Sequence, residues 1–263
     1  MTVEIDKLQK KTKKISNFEI LKHFTNPVTD VIVYNRIDST NTRAKDFLKE
    51  GKEPPFLLVA EEQTAGRGRH GHTFFSPESG LYYSLVVKPA YMNLAIQKAT
   101  IAAAVSLQES IQTVAGISCD IKWVNDLYLN RRKIAGILCE APRNHDNTVS
   151  GIIIGIGINI AQKEFPEEIK DTAGSLNRPD LDRNLLAGEL TNRIFYWMEH
   201  LNDAALIQAY KDHSLLLGKQ VSFQLNETTI TGIATDINEE GNLIVQAEKV
   251  YTLNSGEVSL LSW

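Results

Sequence analysis

The chain has 263 residues, and its 28 Lys and Arg against 32 Asp and Glu give a formal net charge of −4. This acidic balance argues against a general nucleic-acid coat protein, which needs a basic surface. Hydrophobic residues make up 43% and charged residues 23% of the chain, as in folded globular proteins rather than disordered ones. The longest strongly apolar stretch, 152–160, is interrupted by glycines and is shorter than the roughly 18 residues of a membrane span.

The cysteines and the N-terminus indicate the cellular compartment. Cys119 and Cys139 are too few for a disulfide framework or for a zinc site made only of cysteines. The charged N-terminus lacks the apolar segment of a secretory signal. We therefore expect a cytoplasmic protein without a membrane partner.

A lysine-rich stretch is followed by alternating strands and helices. Residues 1–25 are predicted to be a solvated leader, helical or frayed. Ser39 or Thr40 is expected to cap the first long helix, and Gly51 to end it. The glycine-rich, basic residues 63–80 predict a long loop. Apolar patterning predicts strands at 31–35, 56–60, 81–88, 121–124, 127–129, 134–140 and 148–160, and helices at 40–50, 93–114, 185–201 and 204–213.

The pattern changes after Gly218. Residues 220–263 contain short alternating segments separated by turn residues, namely VSFQL, TTITGIATDI, NLIVQAE, VYTL and EVSLL. Such a pattern is typical of a small all-β barrel. We therefore divide the chain into the leader at 1–25, a larger domain at 26–215 and a C-terminal domain at 216–263.

Residues 66–71, GRGRHG, formally match the G-x-G-x-x-G pattern of dinucleotide-binding proteins. That pattern must follow a strand directly and open a helix, whereas this one runs into a Phe-Phe-Ser-Pro sequence. A Walker loop is excluded because His72 and Thr73 replace its Lys-Ser/Thr pair. The glycines and the guanidinium groups of Arg67 and Arg69 instead suit phosphate or carboxylate oxygens. The alternative is a flexible surface loop with incidental charge.

A second group of polar residues, KWVNDL at 122–127, lies between two predicted strands and places Asn125 and Asp126 in a turn. Lys133 follows eleven residues after Lys122, so both ammonium groups could face one site in a hairpin. Lysine suits a carboxylate or an α-phosphate, and Asp126 could act as a base or help to hold a metal. The alternative is an Asn-Asp turn with exposed lysines.

Several segments taken together resemble the biotin–protein ligases, or biotin–[acetyl-CoA-carboxylase] ligases. The resemblance covers most of the chain, because the C-terminal segment is similar to that family's SH3-like domain. It implies an α+β fold: a catalytic domain with a mixed β-sheet flanked by helices, like class II aminoacyl-tRNA synthetases and biotin ligases, plus a small SH3-like β-barrel. The segments are RIDSTN (36–41), EQTAGRGRHG (62–71), KWVNDLYL (122–129), RKIAGIL (132–138) and GIGINI (155–160).

The resemblance also implies a two-step reaction. The carboxylate of biotin attacks the α-phosphate of ATP, with Mg²⁺, and gives biotinyl-5′-AMP and pyrophosphate. The ε-amine of a lysine on biotin carboxyl carrier protein, part of acetyl-CoA carboxylase, then attacks this anhydride and releases AMP. Two anions meet in the first step, so cations are needed to offset their repulsion. By the resemblance, Asp126 is the candidate to accept the proton of the carrier lysine or to assist the metal, and the ligands of Mg²⁺ stay unknown.

By the same resemblance, individual residues receive roles. Gly155 is expected to let the biotin ring approach a strand, Asn159 to reach the nucleotide, and Trp123 to pack against the ligand or the core. The biotin-binding set is Ser39, Thr40, Asn41, Gln63, Arg67, Gly68, Arg69, Lys133 and Gly155, the nucleotide-binding set is Arg67, Arg69, Lys122, Asn125 and Asn159, and the catalytic set is Arg69, Lys122, Asp126 and Lys133.

The sequence departs from the family pattern at a few positions. Val124 replaces a usual proline, which the intact turn at 125–126 should tolerate. His70 and His72 stand where basic residues are common, so a phosphate contact at residue 72 is either lost or pH-dependent. A His-x-His metal site is not expected, because no third ligand is near in sequence.

Some family members also act as repressors through an N-terminal winged-helix domain. Here about 30 residues precede the first predicted strand, too few for such a domain, so we expect a monofunctional enzyme that binds no nucleic acid. The alternatives are a lipoate or octanoyl transferase on the same fold and a non-enzymatic nucleotide or biotin sensor. The sequence leaves open whether the chain is a monomer or a homodimer.

Overall fold

The computed structural model describes residues 14–26, 28, 30–88, 96–225 and 228–254, and the backbone of 260–262. The helices are α1 (Asn17–Leu21), α2 (Thr40–Lys49), α3 (Ile96–Ala115), α4 (Arg183–Glu199) and α5 (Ala204–Asp212). The strands are β1 (Val31–Ile37), β2 (Phe56–Gln63), β3 (Gly80–Val87), β4 (Asp120–Lys122), β5 (Asp126–Leu129), β6 (Arg132–Glu140), β7 (Ile152–Asn159), β8 (Gln220–Leu225), β9 (Thr228–Ile237), β10 (Leu243–Gln246), β11 (Val250–Leu253) and β12 (Leu260–Ser262).

Strands β1 to β7 form a mixed sheet in the order β1-β2-β3-β7-β6-β5-β4. β1 runs parallel to β2, and the other neighbouring strands run antiparallel. α3 packs on one face, with α4 and α5 alongside it, and α2 packs on the other face against β2, β3 and β7. The predicted α+β fold, a mixed sheet flanked by helices, is confirmed.

The centre of the sheet is apolar on both faces near the middle of its strands. β3 is buried along its whole length, and β7 is buried except at Gly157. Strands covered on both faces read as nearly continuous apolar runs, as the sequences GLYYSLVV and IIIGIGIN do. On the α3 face the small side chains of Ala102, Ala103 and Ala104 are fully buried in the helix–helix and helix–sheet contact.

Most predicted elements are confirmed within a few residues, and the differences have local causes. Ser39 accepts from the amide of Thr42 and caps α2, while Gly51, at φ 86°, follows its end. The strand predicted at 148–160 is wrong at its start, because the amide of Asn144 donates to the Thr148 carbonyl in a turn and β7 begins at Ile152. The start of the helix predicted at 93–114 lies outside the described residues.

The prediction of a solvated leader is wrong for residues 14–25. Ile15 and Ile20 are buried, and α1 packs against α4. The amide of Ile15 donates to Glu61 Oε1 at 3.0 Å, and the amide of Ser16 donates to Asn184 Oδ1 at 2.8 Å. Residues 14–25 are therefore part of the folded domain, whereas residues 1–13 lie outside the described residues.

β8 to β12 form a separate antiparallel sheet in the order β11-β10-β9-β8-β12. Alternate residues such as Val221, Phe223 and Val245 are fully buried, as the period-two pattern requires. This arrangement matches the small SH3-like β domain expected at the C-terminus. The boundary near residue 215 stays a prediction. Within the described part of the chain, no helix is long and apolar enough to cross a membrane.

Candidate active site

A cavity of about 270 Å³ opens on the α2 face of the large sheet, beside the N-terminus of α2. Its floor includes strand positions without a side chain: Gly136 on β6, and Gly155 and Gly157 on β7. A Cβ at Gly155 would lie 2.0 Å from Oδ1 of Asn41, and one at Gly157 would lie 2.5 Å from the ring of Phe74. These glycines therefore let side chains from neighbouring elements rest directly on the sheet.

Residues 66–74 form a short hairpin beside the cavity, called the arginine hairpin below. Arg67 pairs with Thr73 in an antiparallel bridge, and a 3-10 turn at Arg69–Gly71 closes the hairpin. Gly66 is required at its base, because a Cβ there would lie 2.4 Å from a backbone carbonyl oxygen of the opposite arm. The segment predicted to be a long loop is thus partly paired. Its paired backbone fixes the positions from which the side chains of Arg67 and Arg69 extend.

Three strands bring the predicted lysines and aspartate together. Lys122 on β4 lies opposite Asp126 on β5, and Nζ of Lys133 on β6 lies 2.7 Å from Oδ1 of Asp126. Asn125 joins this hairpin to β6, since its carbonyl accepts from the Ile137 amide and its side-chain amide donates to the Ile137 carbonyl, both at 2.9 Å. The two lysines therefore face one site, as predicted.

Cationic side chains converge on the cavity. Arg67, Arg69, Lys122 and Lys133 line it, and Asp126 is the one carboxylate among its described lining residues. Burial lowers the pKa of Arg69 and of Lys122 below their usual values, and the charge of Asp126 opposes this shift in both. Charged groups that have lost hydration gain most from a bound counter-ion, so the cavity is built to take anions.

The N-terminus of α2 supplies neutral donors and acceptors at the same cavity. The amide of Thr40 donates to Gln63 Oε1 at 2.8 Å, and Gln63 Nε2 donates to Ser76 Oγ at 3.1 Å. Gln63 thus connects α2 to the segment that leaves the arginine hairpin. Helix N-termini carry a partial positive charge, which adds to the attraction for anions.

Asn41 is only 4% exposed, and its amide is fully engaged by the protein. Its Nδ2 donates to the Leu138 carbonyl at 3.2 Å and to Glu140 Oε2 at 3.0 Å, while its Oδ1 accepts from Ser84 Oγ at 2.6 Å. Gly155 leaves space for a close neighbour, and the side chain of Asn41 occupies that space. We had expected the ring of biotin there.

Comparison with known proteins gives consistent matches. A model of the biotin/lipoate A/B protein ligase family matches residues 33–159, and one of the biotin protein ligase C-terminal domain matches 216–261. The bifunctional ligase/repressor BirA of Bacillus subtilis is 30% identical over 266 residues, covering 97% of this chain and 82% of BirA. The biotin protein ligase of Aquifex aeolicus, solved with biotin and ATP, has a TM-score of 0.77 at 30% identity and covers 89% of this chain and 100% of that one. This chain belongs to the biotin protein ligase family.

As a biotin protein ligase the chain is an enzyme, and a further relative carries the specific name expected from the sequence. The biotin–[acetyl-CoA-carboxylase] ligase of Mycobacterium tuberculosis is 29% identical over 217 residues, which cover 77% of each chain. The structure brings almost every residue predicted from the resemblance to the ligase cavity. These are Ser39, Thr40, Asn41, Gln63, Arg67, Gly68, Arg69, Lys122, Asn125, Asp126, Lys133 and Gly155.

Asn159 is the exception in this ligase. It is 4% exposed and does not line the cavity, and its Nδ2 donates to the Gly174 carbonyl at 2.9 Å. Its Oδ1 accepts from Gln162 Nε2 at 3.2 Å. The expected contact of Asn159 with the nucleotide is therefore not supported, because its amide ties β7 to residues 162 and 174 instead.

Trp123 packs in the core and also forms one wall of the cavity. It is 6% exposed, and its Nε1 donates to the Gly241 carbonyl at 3.0 Å in the turn between β9 and β10. The peptide bond between Trp123 and Val124 is cis, and the Val124 carbonyl accepts from the hydroxyl of Tyr210 at 3.1 Å. The C-terminal domain thus touches the hairpin that carries Lys122 and Asp126.

The sequence reasoning missed residues that shape the ligase cavity from below and from the side. No role was predicted for Phe74, yet its ring packs over Gly136 and Gly157. Ser84 is fully buried inside an apolar strand, and Glu140 ends β6 beside Asn41. A polar residue in the middle of GLYYSLVV and alternate glycines in IIIGIGIN were the available signals.

The described residues fit a magnesium ion that arrives with a nucleotide rather than a resident metal. Among them there is no group of three His, Cys, Asp or Glu side chains that could hold a metal. Mg²⁺ at nucleotide sites is typically held by one or two carboxylates plus substrate phosphates. Asp126 is the carboxylate of this cavity that could serve, since it lies among the cations that would meet the phosphates.

Proposed function

We propose that this enzyme joins biotin to ATP as biotinyl-5′-AMP and then transfers the biotinyl group to a lysine of biotin carboxyl carrier protein. The observation that carries the proposal is the convergence of Arg67, Arg69, Lys122 and Lys133 on one glycine-floored cavity. The relatives named as biotin ligases, and the Aquifex enzyme solved with biotin and ATP, support the choice of substrates.

In the first step, an oxygen of the biotin carboxylate attacks the α-phosphorus, and the bond from that phosphorus to the pyrophosphate oxygen breaks. Both reactants are anions, so their approach is opposed by Coulomb repulsion that is strong in a site with little water. Arg67 and Arg69 offer planar guanidinium groups that match carboxylate and phosphate oxygens. Lys133 is proposed to bridge the carboxylate and the α-phosphate, where charge develops.

In the second step, the carrier lysine attacks the carbonyl carbon of the adenylate, and the bond from this carbon to the phosphate oxygen breaks, releasing AMP. The attacking amine must lose a proton. Asp126 is proposed to accept it, because it is the carboxylate within the cavity and is held in place by Lys133 at 2.7 Å.

In the first step Asp126 would be the protein ligand of the Mg²⁺ that accompanies ATP, and the metal would supply positive charge at the phosphates. Arg67, Arg69, Lys122 and Lys133 would neutralise the remaining phosphate charge. We also propose a cytoplasmic location, which is consistent with Cys119 and Cys139 both being free thiols.

Pyrophosphate release from ATP tests the proposed function. The purified chain is incubated with ATP and Mg²⁺ and with biotin, lipoate or octanoate in separate reactions. We expect release with biotin and none above background with the other two acids.

The second candidate function is lipoate attachment, because the family model that matches residues 33–159 includes lipoate ligases. Release with lipoate but not with biotin would replace the proposed function by this one. Release with none of the three acids, in a protein that still binds biotin, would identify a biotin sensor instead.

A further inference from the structure

Glu140, at the end of β6, connects three elements around the cavity. Its Oε1 lies 2.6 Å from Nζ of Lys45 on α2 and 3.7 Å from Nη2 of Arg67 in the arginine hairpin. Its Oε2 accepts from Asn41 Nδ2 at 3.0 Å. The side chain is 20% exposed, so these interactions are partly shielded from solvent.

A carboxylate in this place is costly for an enzyme whose substrates are anions. At about 4 Å, two like charges repel by roughly 1 kcal/mol in water and by several times more near a protein surface. Glu140 lies beside Arg67, which lines the cavity. If Glu140 only neutralised charge, the site would bind its anions more tightly without it.

The contact of Glu140 with Arg67 can compensate for its repulsion of the substrate anions. Arg67 is 44% exposed, and its ion pair among the described residues is with Glu140. A long side chain that is free in solvent must lose rotamer entropy on binding, whereas one already held does not. Held by Glu140, the guanidinium of Arg67 is oriented before the substrate arrives, as effective electrostatic stabilisation requires.

We propose that Glu140 is a positioning residue of the ligase, which holds Arg67 and thereby the arginine hairpin in place for the substrate anion. Its contact with Asn41 is separable from this role. In Glu140→Gln the amide oxygen can still accept from Asn41, but the side chain has no charge to hold Arg67. The proposal rests on the proposed function for its kinetic readout, and its second readout needs no activity.

The kinetic test compares the KM for biotin in pyrophosphate release between the wild type and Glu140→Gln. We expect KM to rise about two- to fivefold, as for the loss of a partly exposed charged contact, with kcat changed less than twofold. In an Arg67→Ala background the same substitution should no longer raise KM, because the residue through which Glu140 acts is gone and only its repulsion of the anion is left to remove. An unchanged or lower KM in Glu140→Gln, or additive effects in the double variant, would overturn the proposal.

Two variants serve as controls. Glu62→Gln removes an equal charge that pairs with Arg36 at 3.3 Å and does not line the cavity, so it should leave KM unchanged. Lys45→Met removes the other cation held by Glu140 but leaves its pair with Arg67. If Lys45→Met raises KM as much as Glu140→Gln does, Glu140 acts by anchoring α2 and the proposal is wrong.

Hydrogen exchange of the ligand-free protein supplies the readout that does not depend on activity. The arginine hairpin is closed by backbone bonds, including Gly68 N to His72 O at 2.7 Å and Phe74 N to Gly66 O at 2.9 Å. We expect faster exchange across residues 66–74 in Glu140→Gln and no change in Glu62→Gln. Equal exchange in both variants would overturn the proposal, even if the wild type releases no pyrophosphate and the proposed function itself has failed.

Discussion

The two faces of the seven-stranded sheet are built from the same strands but differ in what they present. On β7, Ile154, Ile156 and Ile158 belong to the apolar core on the α3 face. The alternate positions Gly155 and Gly157 carry no side chain, and there the α2 face opens into the cavity. Since successive strand residues point to opposite faces, one strand can stabilise the fold with half of its residues and shape the site with the other half.

Within a single strand, the residues that stabilise the fold are therefore different from the residues that shape the cavity. Substitutions on the α3 face should act on the free energy of unfolding and leave the reaction of folded molecules intact. Substitutions at the cavity on the α2 face should act on binding or turnover with smaller changes in stability. The two classes of effect give a way to test where the active site lies.

The largest effect is expected for Lys133→Ala on the α2 face. If Lys133 stabilises the charge that develops at the α-phosphate, its loss should lower kcat by about 10²- to 10³-fold, as for removal of one preorganised donor. ATP binding should weaken much less than turnover, because the interaction grows in the transition state. Pyrophosphate release and equilibrium ATP binding measure the two quantities, and equal losses would make Lys133 a simple anchor.

The next largest effect is expected for Ile154→Ala on the α3 face. Ile154 is fully buried in the core, so truncation should lower the free energy of unfolding by about 3 kcal/mol. Urea unfolding followed by circular dichroism measures this change. The rate of pyrophosphate release per folded molecule should match the wild type, and a large loss of rate at full folding would show that the two faces are not separable.

A smaller effect is expected for Gly155→Ala, because Gly155 lies between Ile154 and Ile156 in the chain but faces the α2 side of the sheet. The added Cβ would meet the Asn41 amide and displace it, at a cost of about 1–3 kcal/mol in stability and with weaker biotin binding. Gly151→Ala is the matched control, because its Cβ would lie 3.2 Å or more from the side chains of Val86 and Leu48 and would not meet Asn41. Similar biotin affinities in the two variants, measured by calorimetry, would argue against a role of Asn41 in shaping the cavity.

A final test needs no substitution and uses the thiols of Cys119 and Cys139, which pack with the apolar core. Burial raises the pKa of each thiol to about 12, so at pH 8 the reactive thiolate is scarcer than in a free cysteine, whose pKa is about 8.5. Iodoacetamide at pH 8 should therefore label Cys119, which is 2% exposed, about three orders of magnitude more slowly in the native protein than in urea. Mass spectrometry measures the labelling, and rapid native labelling of Cys119 would show that the apolar core opens.

The sequence predicted the α2 face through its charged and glycine-rich segments, and the α3 face through its periodic apolar residues. It did not predict the role of Glu140, because its partners Asn41 and Arg67 are far away in the chain and meet it only in the folded sheet. Asn159 shows the opposite case, since a residue inside a matching motif turned out to bond the backbone at residue 174. Motifs identify the residues that reach the cavity, but tertiary contacts determine which of their side chains remain available to bind a ligand.

The direct test of the central claim is the fate of the biotin oxygens. Biotin labelled with ¹⁸O at both carboxylate oxygens is incubated with the enzyme, ATP and biotin carboxyl carrier protein. Mass spectrometry then measures the masses of AMP and pyrophosphate. If a carboxylate oxygen attacks the α-phosphorus and the carrier lysine then attacks the carbonyl carbon, AMP must carry one ¹⁸O and pyrophosphate none. Unlabelled AMP, with the label in pyrophosphate or phosphate, would contradict the adenylate that this cavity is proposed to form.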